Sequence, residues 1–561
     1  MKFSVLVIIS TVWVRTLAAP SPNSGYGDGD DYYHCRHKNE GSDDGKHCHM
    51  HTRHARPVRG ETLHGTPSPP SPLTPQPDDD RPGPSRPNPS GPLLPSSPAT
   101  NVVPMGGGKK GTDTTIPLAK RQSCGGKSIV FDTSTVFHSD TATGSKPGSA
   151  SEPSGAKSGK VIFSTSNWIA AISVDGGATF NTIDPTVYAG PANPATDAGF
   201  CCDQVVQYIP SIDRFVWLMQ YVATNDTKNV NKLRLITFRP DDVVATGIRS
   251  YIYTDILSSG GWLDYGELGV GNTQLYISAT LYGPTSGLMV FRVPISALNV
   301  VGSYTYWQTN ANDGAVAQGS RLAQNPGADV FWAGHSDLGK AIRVFKWSES
   351  STSYAWNDVS IDHWPTDISK FVSACPADTT KNWLFSNSAN NIIGATRRRT
   401  NEVWFAWNAG SGDGFANPHV QIVQVNVGNF PSLPKPKQWQ IWNPNFAFAF
   451  PNFYTSRECG DVGLAIAFGG GTLNPSGALG VVTSEGILTQ TVYYPELSNT
   501  CEERFGDYLG VRMKSLARAQ YNNAFLWAKR DLPCLDIAVE PTRIRTGLNP
   551  PFIGLSSRPS D

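Results

Sequence analysis

Three consecutive apolar runs decide the fold: Asp203-Gln-Val-Val-Gln-Tyr-Ile-Pro210, then Arg214-Phe-Val-Trp-Leu-Met-Gln-Tyr221 and, after a loop, Lys232-Leu-Arg-Leu-Ile-Thr-Phe238. Each run is the length of a strand, and a turn at Ser211-Ile212-Asp213 joins the first two. Short runs rich in β-branched and aromatic residues, separated by turn-forming residues, are typical of antiparallel strands. Because no long stretch of the chain shows helical periodicity, the sequence predicts an all-β protein.

The same strand–turn–strand–loop–strand order recurs along the chain. Its repeats begin near residues 203, 264, 320, 391, 457 and 506, a period of about 50–70 residues. A repeat of three or four strands at this spacing predicts the blades of a β-propeller. Residues 125–200 supply one further blade, closed by the C-terminal strands. We therefore predict seven blades, with six blades as the near alternative and a β-sandwich as the other.

The N-terminus has the features of a secretory signal peptide. A basic start at Met1-Lys2 precedes an apolar run over 3–9, and small residues follow at Ala18-Ala19. The apolar run is shorter than the roughly 20 residues that span a bilayer. We therefore expect residues 1–19 to be a signal peptide and the protein to be secreted and extracellular, with no membrane span.

Residues 20–121 form a segment rich in proline and histidine, which buries too little apolar surface to fold. It contains close His and Cys pairs around Cys35 and Cys48, which would bind copper or zinc weakly. It ends at Lys120-Arg121, which resembles the site where a kexin-like protease cuts fungal secretory precursors. We expect a disordered propeptide or linker, a propeller over 122–540 and a tail over 541–561.

Charge and cysteine content bound the partners and the redox compartment. Lysine and arginine together number 46, as do aspartate and glutamate, and no basic stripe with interleaved aromatics is present. Nucleic acid is therefore not an expected partner, and we expect a monomer. Seven of the nine cysteines follow Lys120-Arg121, which predicts up to three disulfides in an oxidising compartment. Asn225-Asp226-Thr227 is an N-glycosylation acceptor.

The most specific local motif is Ser173-Val174-Asp175-Gly176-Gly177-Ala178-Thr179-Phe180. It matches Ser-x-Asp-x-Gly-x-Thr-aromatic, in which Asp175 accepts hydrogen bonds from the turn, Gly177 permits positive φ and Phe180 plugs the blade. The chain thus resembles the sialidase-like, Asp-box β-propeller superfamily. The resemblance implies that Ser173, Asp175, Gly177 and Phe180 are structural and lie away from the active centre.

True sialidases carry a Phe-Arg-Ile-Pro motif before their Asp boxes, together with an arginine triad. Here the similar Phe291-Arg292-Val293-Pro294 follows the Asp box instead. The departure argues against sialidase activity itself, because fold does not fix function.

Propeller geometry brings the starts of the first strands and the ends of the second strands to one face. The residues expected at the starts are Asp203, Gln204, Asp264, Glu267, Arg321, Arg457, Glu458, Asp507 and Tyr508, and those at the ends are Tyr221, Tyr282, His335 and Trp407. Aromatic faces stack on sugar rings and arginine pairs with carboxylates, so the set suits an acidic glycan.

Two enzyme mechanisms fit this residue set, and both cleave a glycosidic bond. A hydrolase would use two carboxylates from Asp203, Asp264 and Asp507. A uronate lyase would use His335 or Tyr508 as base. In either mechanism Arg321, Arg457, Tyr221, Tyr282 and Trp407 would bind substrate. A lectin or adhesin would use the same aromatics and arginines without acid–base groups. The sequence predicts no definite cofactor and leaves open whether a Ca²⁺ ion fills the central channel.

Overall fold

A computed structural model of the chain describes residues 51–68, 105–106, 130–136, 153–224, 230–259, 261–282, 287–309, 321–376, 378–384, 390–455, 462–471, 473–482, 488–494, 510–513, 537–540 and 551–556. All of them belong to the second of two compact units, residues 50–561. The signal peptide, Lys120-Arg121, Asn225, Arg457, Asp507 and Tyr508 lie outside the described residues.

The described residues are nearly all β, as the sequence predicts. Four strands come first in the chain: β1 (His51–His54), β2 (Arg56–Gly65), β3 (Met105–Gly106) and β4 (Val130–Val136). The helical elements in the described ranges are α1 (Thr186–Ala189) and the 3-10 turns Pro210–Ile212, Pro240–Asp242, Ile295–Asn299 and Ile368–Lys370.

The next strands form consecutive antiparallel meanders, of which the first three are units A, B and C. Unit A comprises β5 (Ser154–Ser158), β6 (Val161–Thr165), β7 (Ala170–Ser173) and β8 (Asn181–Ile183). Unit B comprises β9 (Phe200–Ile209), β10 (Arg214–Tyr221), β11 (Val230–Phe238), the small hairpin β12 (Val243–Val244) and β13 (Gly247–Ile248), and β14 (Tyr251–Ser259). Unit C comprises β15 (Trp262–Val270), β16 (Gln274–Tyr282), β17 (Gly287–Pro294) and β18 (Gly302–Gln308).

Units D to G continue the pattern. Unit D comprises residues 321–324, β19 (Asp329–Asp337), β20 (Ala341–Ser348) and β21 (Ser353–Ser360). Unit E comprises β22 (Ile392–Arg398), β23 (Glu402–Ala409), β24 (His419–Asn426) and β25 (Lys437–Ile441). Unit F comprises β26 (Ala447–Thr455), β27 (Val462–Gly470), β28 (Leu473–Val482) and β29 (Leu488–Tyr494). Unit G comprises β30 (Gly510–Met513), β31 (Ile537–Glu540), β32 (Pro551–Ser556) and β4.

The three runs that predict the fold become β9, β10 and β11, paired in antiparallel register. Their connection is the 3-10 turn Pro210–Ile212, closed by Asp213 at φ 49°. Aspartate tolerates this left-handed conformation better than most residues. Local sequence therefore determines this hairpin.

The units pack face to face in chain order. Each of five apolar clusters joins two consecutive units, from A–B through to E–F. The first strands also contact one another: β5 with β9, β9 with β15, β22 with β26, β26 with β30, and β30 with β5. Residues 321–324 take the place of a first strand between β15 and β22. Gln324 donates to Leu268 O of β15 through its side chain and to Ala395 O of β22 through its amide.

The expectation that residues 20–121 are disordered is wrong for residues 51–68, which we call the N-terminal clasp. Strand β2 lies between β14 and β18 and joins units B and C into one nine-stranded sheet. Strand β1 adds to the outer edge of β21 in unit D. Polar composition misled the prediction, because backbone pairing to an existing edge needs little apolar surface.

The expected C-terminal tail also contributes a strand. Residues 551–556 form β32, which pairs with β31 and with β4. The sequence predicts that residues 125–200 form one blade. Strand β4 lies in this range but pairs with the C-terminal strands of unit G. Residues 154–183 form unit A by themselves.

Candidate functional site

The upper face is defined as the side where the first strands of the units begin and the second strands end. The register places Phe200 opposite Tyr221, Trp262 opposite Tyr282 and Ile392 opposite Trp407. The adjacency expected from the sequence is therefore present in units B, C and E.

First strands at this face carry a repeated irregularity. The register shifts in β9, β15, β22 and β26 near their starts. Within three of these shifts a residue other than glycine has positive φ: Cys202 at 45°, Tyr265 at 53° and Phe450 at 55°. Such a backbone costs about 1–3 kcal/mol and concentrates, like β-bulges, at functional sites. The bulges point to the upper face as the functional side.

Asp264 is the best-positioned acid at this face. Its Oδ1 accepts hydrogen bonds from Gln220 Nε2 of unit B and from the Tyr265 amide, both at 2.8 Å. The side chain is half-buried, so a ligand in solvent reaches it. These two donors fix the direction of the carboxylate.

A disulfide between adjacent residues lies beside Asp264. Cys201 and Cys202 are bonded to each other within the bulge of β9, and Gln220 Nε2 is 3.7 Å from Cys202 Sγ. The same Gln220 therefore contacts both the disulfide and Asp264. The sequence predicts disulfides but not this pairing. The one sequence feature that could have indicated it is that the two cysteines are adjacent.

Asp203 and Glu267 accompany Asp264 but are more deeply placed. Asp203 follows the disulfide and is 7% exposed, and Glu267 is 4% exposed with its Oε1 accepting from the Leu268 amide at 2.9 Å. The sequence places Asp203 and Asp264 on adjacent first strands, and the structure does so too, since β9 contacts β15.

Two half-buried aromatic rings flank the acid. Trp262 and Tyr282 lie opposite each other, with ring centroids 6.1 Å apart and planes inclined at 39°. Trp262 and Asp264 are two residues apart on β15 and therefore lie on one face of the strand. The arrangement pairs an apolar ring surface with an ionised acid.

His335 lies in a separate aromatic cluster in unit D. Its ring is 5.2 Å from Trp364 and 4.9 Å from Trp407, and the side chain is 8% exposed. Burial lowers the pKa of His335 to about 4. At neutral pH the imidazole is uncharged, so it accepts a proton but does not serve as a cationic acid.

Three predicted binding residues have packing roles instead. Tyr221 is fully buried, donates its hydroxyl to Ala189 O and lies 4.3 Å beneath Lys232 Nζ. Trp407 is fully buried against His335. Arg321 is 1% exposed and its Nη1 donates to Gly266 O of the neighbouring unit at 2.8 Å. Neither ring can stack on a ligand here, and Arg321 connects two units.

The residues of the motif Ser173–Phe180 lie in and beside one turn of unit A. Asp175 accepts from the Thr179 amide at 3.0 Å and hydroxyl at 2.5 Å in the hairpin between β7 and β8, and these bonds hold its pKa well below the usual range. Ser173 Oγ accepts from the Gly177 amide at 2.8 Å, Gly177 has φ 104°, and Phe180 packs on unit A.

The second motif, Phe291-Arg292-Val293-Pro294, is also structural. It lies in β17. There Arg292 donates to Ser348 O and Ser351 O of unit D and stacks over Trp347 at 4.5 Å.

Neither a metal centre nor a membrane helix is found in the described ranges. The His, Cys, Asp and Glu side chains described there include no group of three or more arranged to hold a metal ion. None of the helices described is long and apolar enough to cross a bilayer.

Comparisons with known proteins identify similar structures but no family. Neither protein-family models nor curated proteins match the chain. Among solved structures, Aleuria aurantia lectin in complex with alpha-methyl-L-fucoside is similar at 10% identity and a TM-score of 0.30, over 64% of this chain and 93% of the lectin. A subtype N10 neuraminidase-like protein of A/little yellow-shouldered bat/Guatemala is similar at 8% identity and a TM-score of 0.29, over 61% and 96%.

An oxygenase is among the similar structures as well. A Synechocystis apocarotenoid oxygenase mutant has 8% identity and a TM-score of 0.32, over 62% of this chain and 73% of the oxygenase. At these TM-scores the similarities carry no argument about activity, which rests on the site alone.

Stability is expected to fall as the pH drops through the histidine range. Burial lowers the pKa of His335 to about 4 and of His419 to about 3, from 6.5. Below pH 6.5 the unfolded chain binds protons that the folded chain does not, so folding weakens until about pH 4 for His335 and pH 3 for His419. The loss is roughly 1.4 kcal/mol per pH unit and histidine.

His335→Phe should flatten the pH dependence of the melting temperature between pH 6 and 4.5. His363→Gln is the matched control, because its side chain is 67% exposed. An unchanged slope in His335→Phe would contradict the assignment.

Proposed function

We propose that the protein is a secreted, seven-bladed β-propeller of the sialidase-like type that binds a glycan at its upper face and hydrolyses a glycosidic bond there. Units A to G, counted over the described residues, are its blades. Face-to-face packing of consecutive units and the closed order of first strands support a propeller over a sandwich, whose two sheets would not close in this way.

One observation carries the assignment of the site. The half-buried carboxylate of Asp264 is fixed by Gln220 and the Tyr265 amide beside the half-buried rings of Trp262 and Tyr282. Sugar rings present apolar faces to aromatic side chains and hydroxyl groups to carboxylates. A positioned, ionised acid next to an apolar platform therefore suits a sugar better than a wholly apolar ligand.

The chemistry would use two carboxylates on opposite sides of the scissile bond. Asp264 is the base or nucleophile, since it is the most exposed of the described acids on these first strands. Asp203 on the neighbouring first strand is the second acid, with Asp507 as the other sequence candidate. A preference for acidic glycans would depend on Arg457, because Arg321 is engaged between blades.

A lectin is the second candidate, and the burial of the acids favours it. Of the described carboxylates predicted at strand starts, Asp264 alone is half-exposed, while Asp203 and Glu267 are 7% and 4% exposed. One accessible acid beside aromatic rings binds a sugar without cleaving it. A uronate lyase is less well supported, because its base His335 lies buried between Trp364 and Trp407.

Incubation of the secreted protein with gum arabic, pectins and sialoglycans tests these assignments. New reducing ends without absorbance from an unsaturated uronate would support hydrolysis, and the absorbance would indicate a lyase. Glycan binding without any cleavage product would support the lectin and contradict both enzyme mechanisms. A protein that neither binds nor cleaves any glycan of a broad panel would contradict the proposal. His335→Phe should abolish a lyase that uses His335 as its base and should spare a hydrolase.

A further inference from the structure

The N-terminal clasp is held on both sides by backbone pairing. Residues 56–62 of β2 pair with 302–308 of β18, and residues 62–65 pair with 251–254 of β14. Every residue of β2 is thus paired with a neighbouring strand, with β18 in its first part and with β14 in its last, and Thr62 is paired on both sides. Pairing along the whole strand holds it more firmly than pairing at one end would.

The first part of the clasp is anchored in unit D. Strand β1 pairs with residues 353–356 of β21, and His51 stacks on Trp356 at 5.5 Å with planes 9° apart. Ala55 is 4% exposed within the apolar cluster between units C and D, and its amide donates to Thr352 O at 2.9 Å. The clasp therefore contacts units B, C and D.

Two glycines let the clasp approach aromatic rings closely. A Cβ on Gly60 would lie 2.5 Å from Tyr304 Cζ, and one on Gly65 would overlap Cε2 of the Tyr251 ring. Between them Thr62 is 1% exposed and donates to Ala297 O at 3.2 Å. The fit depends on specific residues and not only on strand pairing.

The position of the clasp in the chain conflicts with loss of a propeptide. The predicted cut after Arg121 separates the clasp from everything that follows. Loss of the clasp would leave the outer edges of β14, β18 and β21 without their partner strands. It would also remove the contact of Gly60 with Tyr304 and take Ala55 out of the apolar cluster between units C and D. Each backbone hydrogen bond contributes about 1 kcal/mol net, so many must break together.

We propose that the clasp stays bound, without a covalent link, after the chain is cut on its C-terminal side, so that the processed protein consists of two chains. The partner surface is the groove between β14 and β18 together with the edge of β21. Its occupant is the clasp of the same molecule. The proposal does not depend on the glycan site.

The test uses the folded full chain with a site-specific protease sequence inserted between Ser90 and Gly91. After cleavage, in the presence of a reductant, the N-terminal fragment should co-elute with the larger fragment at one-to-one stoichiometry in size-exclusion chromatography. It should separate only in denaturant. Separate elution in native buffer would overturn the proposal.

A pair of variants tests whether the observed fit holds the fragment. Gly60→Val places a side chain against Tyr304, whereas Glu61→Val alters the exposed neighbour in the same strand. After cleavage we expect the Gly60→Val fragment to dissociate at least tenfold faster than wild type and the Glu61→Val fragment to match wild type. Equal rates for the two variants would count against the proposal.

A second measurement covers failure of Gly60→Val to fold. The cut wild-type protein is mixed with an excess of a labelled synthetic peptide of residues 51–68. Exchange over hours or longer supports a tightly held clasp, and complete exchange within minutes refutes it.

Discussion

Replacing Lys232 by methionine is expected to lower the free energy of unfolding by about 3–5 kcal/mol, because it strands a buried carboxylate. Lys232 Nζ lies 2.7 Å from Asp197 Oδ2, with the two side chains 3% and 0% exposed. Asp197 also accepts hydrogen bonds from the Gly199 amide and the Thr196 hydroxyl, but these neutral donors do not replace the charge of the lysine for a carboxylate that is 0% exposed.

Chemical denaturation of the variant and the wild type at neutral pH measures this effect. Lys340→Met is the matched control, because its pair with Asp337 is 3.7 Å long with side chains 74% and 56% exposed. That control should cost no more than about 1 kcal/mol. The double variant Lys232→Met, Asp197→Asn should recover part of the loss. Equal destabilisation by Lys232→Met and Lys340→Met would show that the buried pair is not coupled.

Asp264→Asn is expected to reduce kcat for glycan hydrolysis by about 10²–10⁴-fold, the usual contribution of one acid–base group. The amide keeps the shape of the side chain but cannot act as base or nucleophile. Trp262 and Tyr282 are untouched, so glycan binding should be retained. The effect should therefore appear in kcat and not in KM.

Asp241→Asn is the control for Asp264→Asn, since Asp241 is an exposed acid in the turn Pro240–Asp242. It should leave hydrolysis unchanged. Trp262→Ala separates binding from chemistry, because loss of an aromatic anchor weakens binding by roughly tenfold or more. Full activity in Asp264→Asn would exclude Asp264 from the chemistry, and unchanged binding in Trp262→Ala would exclude the aromatic platform.

The regular features were accessible from sequence because they are local. Alternating apolar residues and the turn at Asp213 determine β9 and β10, and the side-chain bonds of Asp175 determine the hairpin of unit A. The starts of the first strands and the ends of the second strands follow from strand order, which is why the sequence could offer Asp203, Asp264 and Tyr282 as candidates; their role in a site stays a prediction.

The solvent exposure of individual side chains could not be predicted from the sequence in the same way. Alternation along a strand predicts which residues share a face but not which face a neighbouring unit covers. Tyr221 and Trp407 therefore read as binding residues although neighbouring side chains cover both. The bulges at Cys202 and Tyr265 were also missed, because positive φ in a bulky residue is imposed by surrounding packing.

The sequence by itself determined the strands, their repeat and the acids at the upper face. Only the tertiary structure decided that Asp264 is the accessible acid, that Arg321 connects two units, and that the N-terminal clasp belongs to the sheets. The physical reason lies in sequence distance. Strand β2 pairs with residues that lie roughly 200 positions or more further along the chain. The pairing uses backbone groups, which every residue except proline carries in full. No local sequence pattern therefore indicates which strands β2 will pair with.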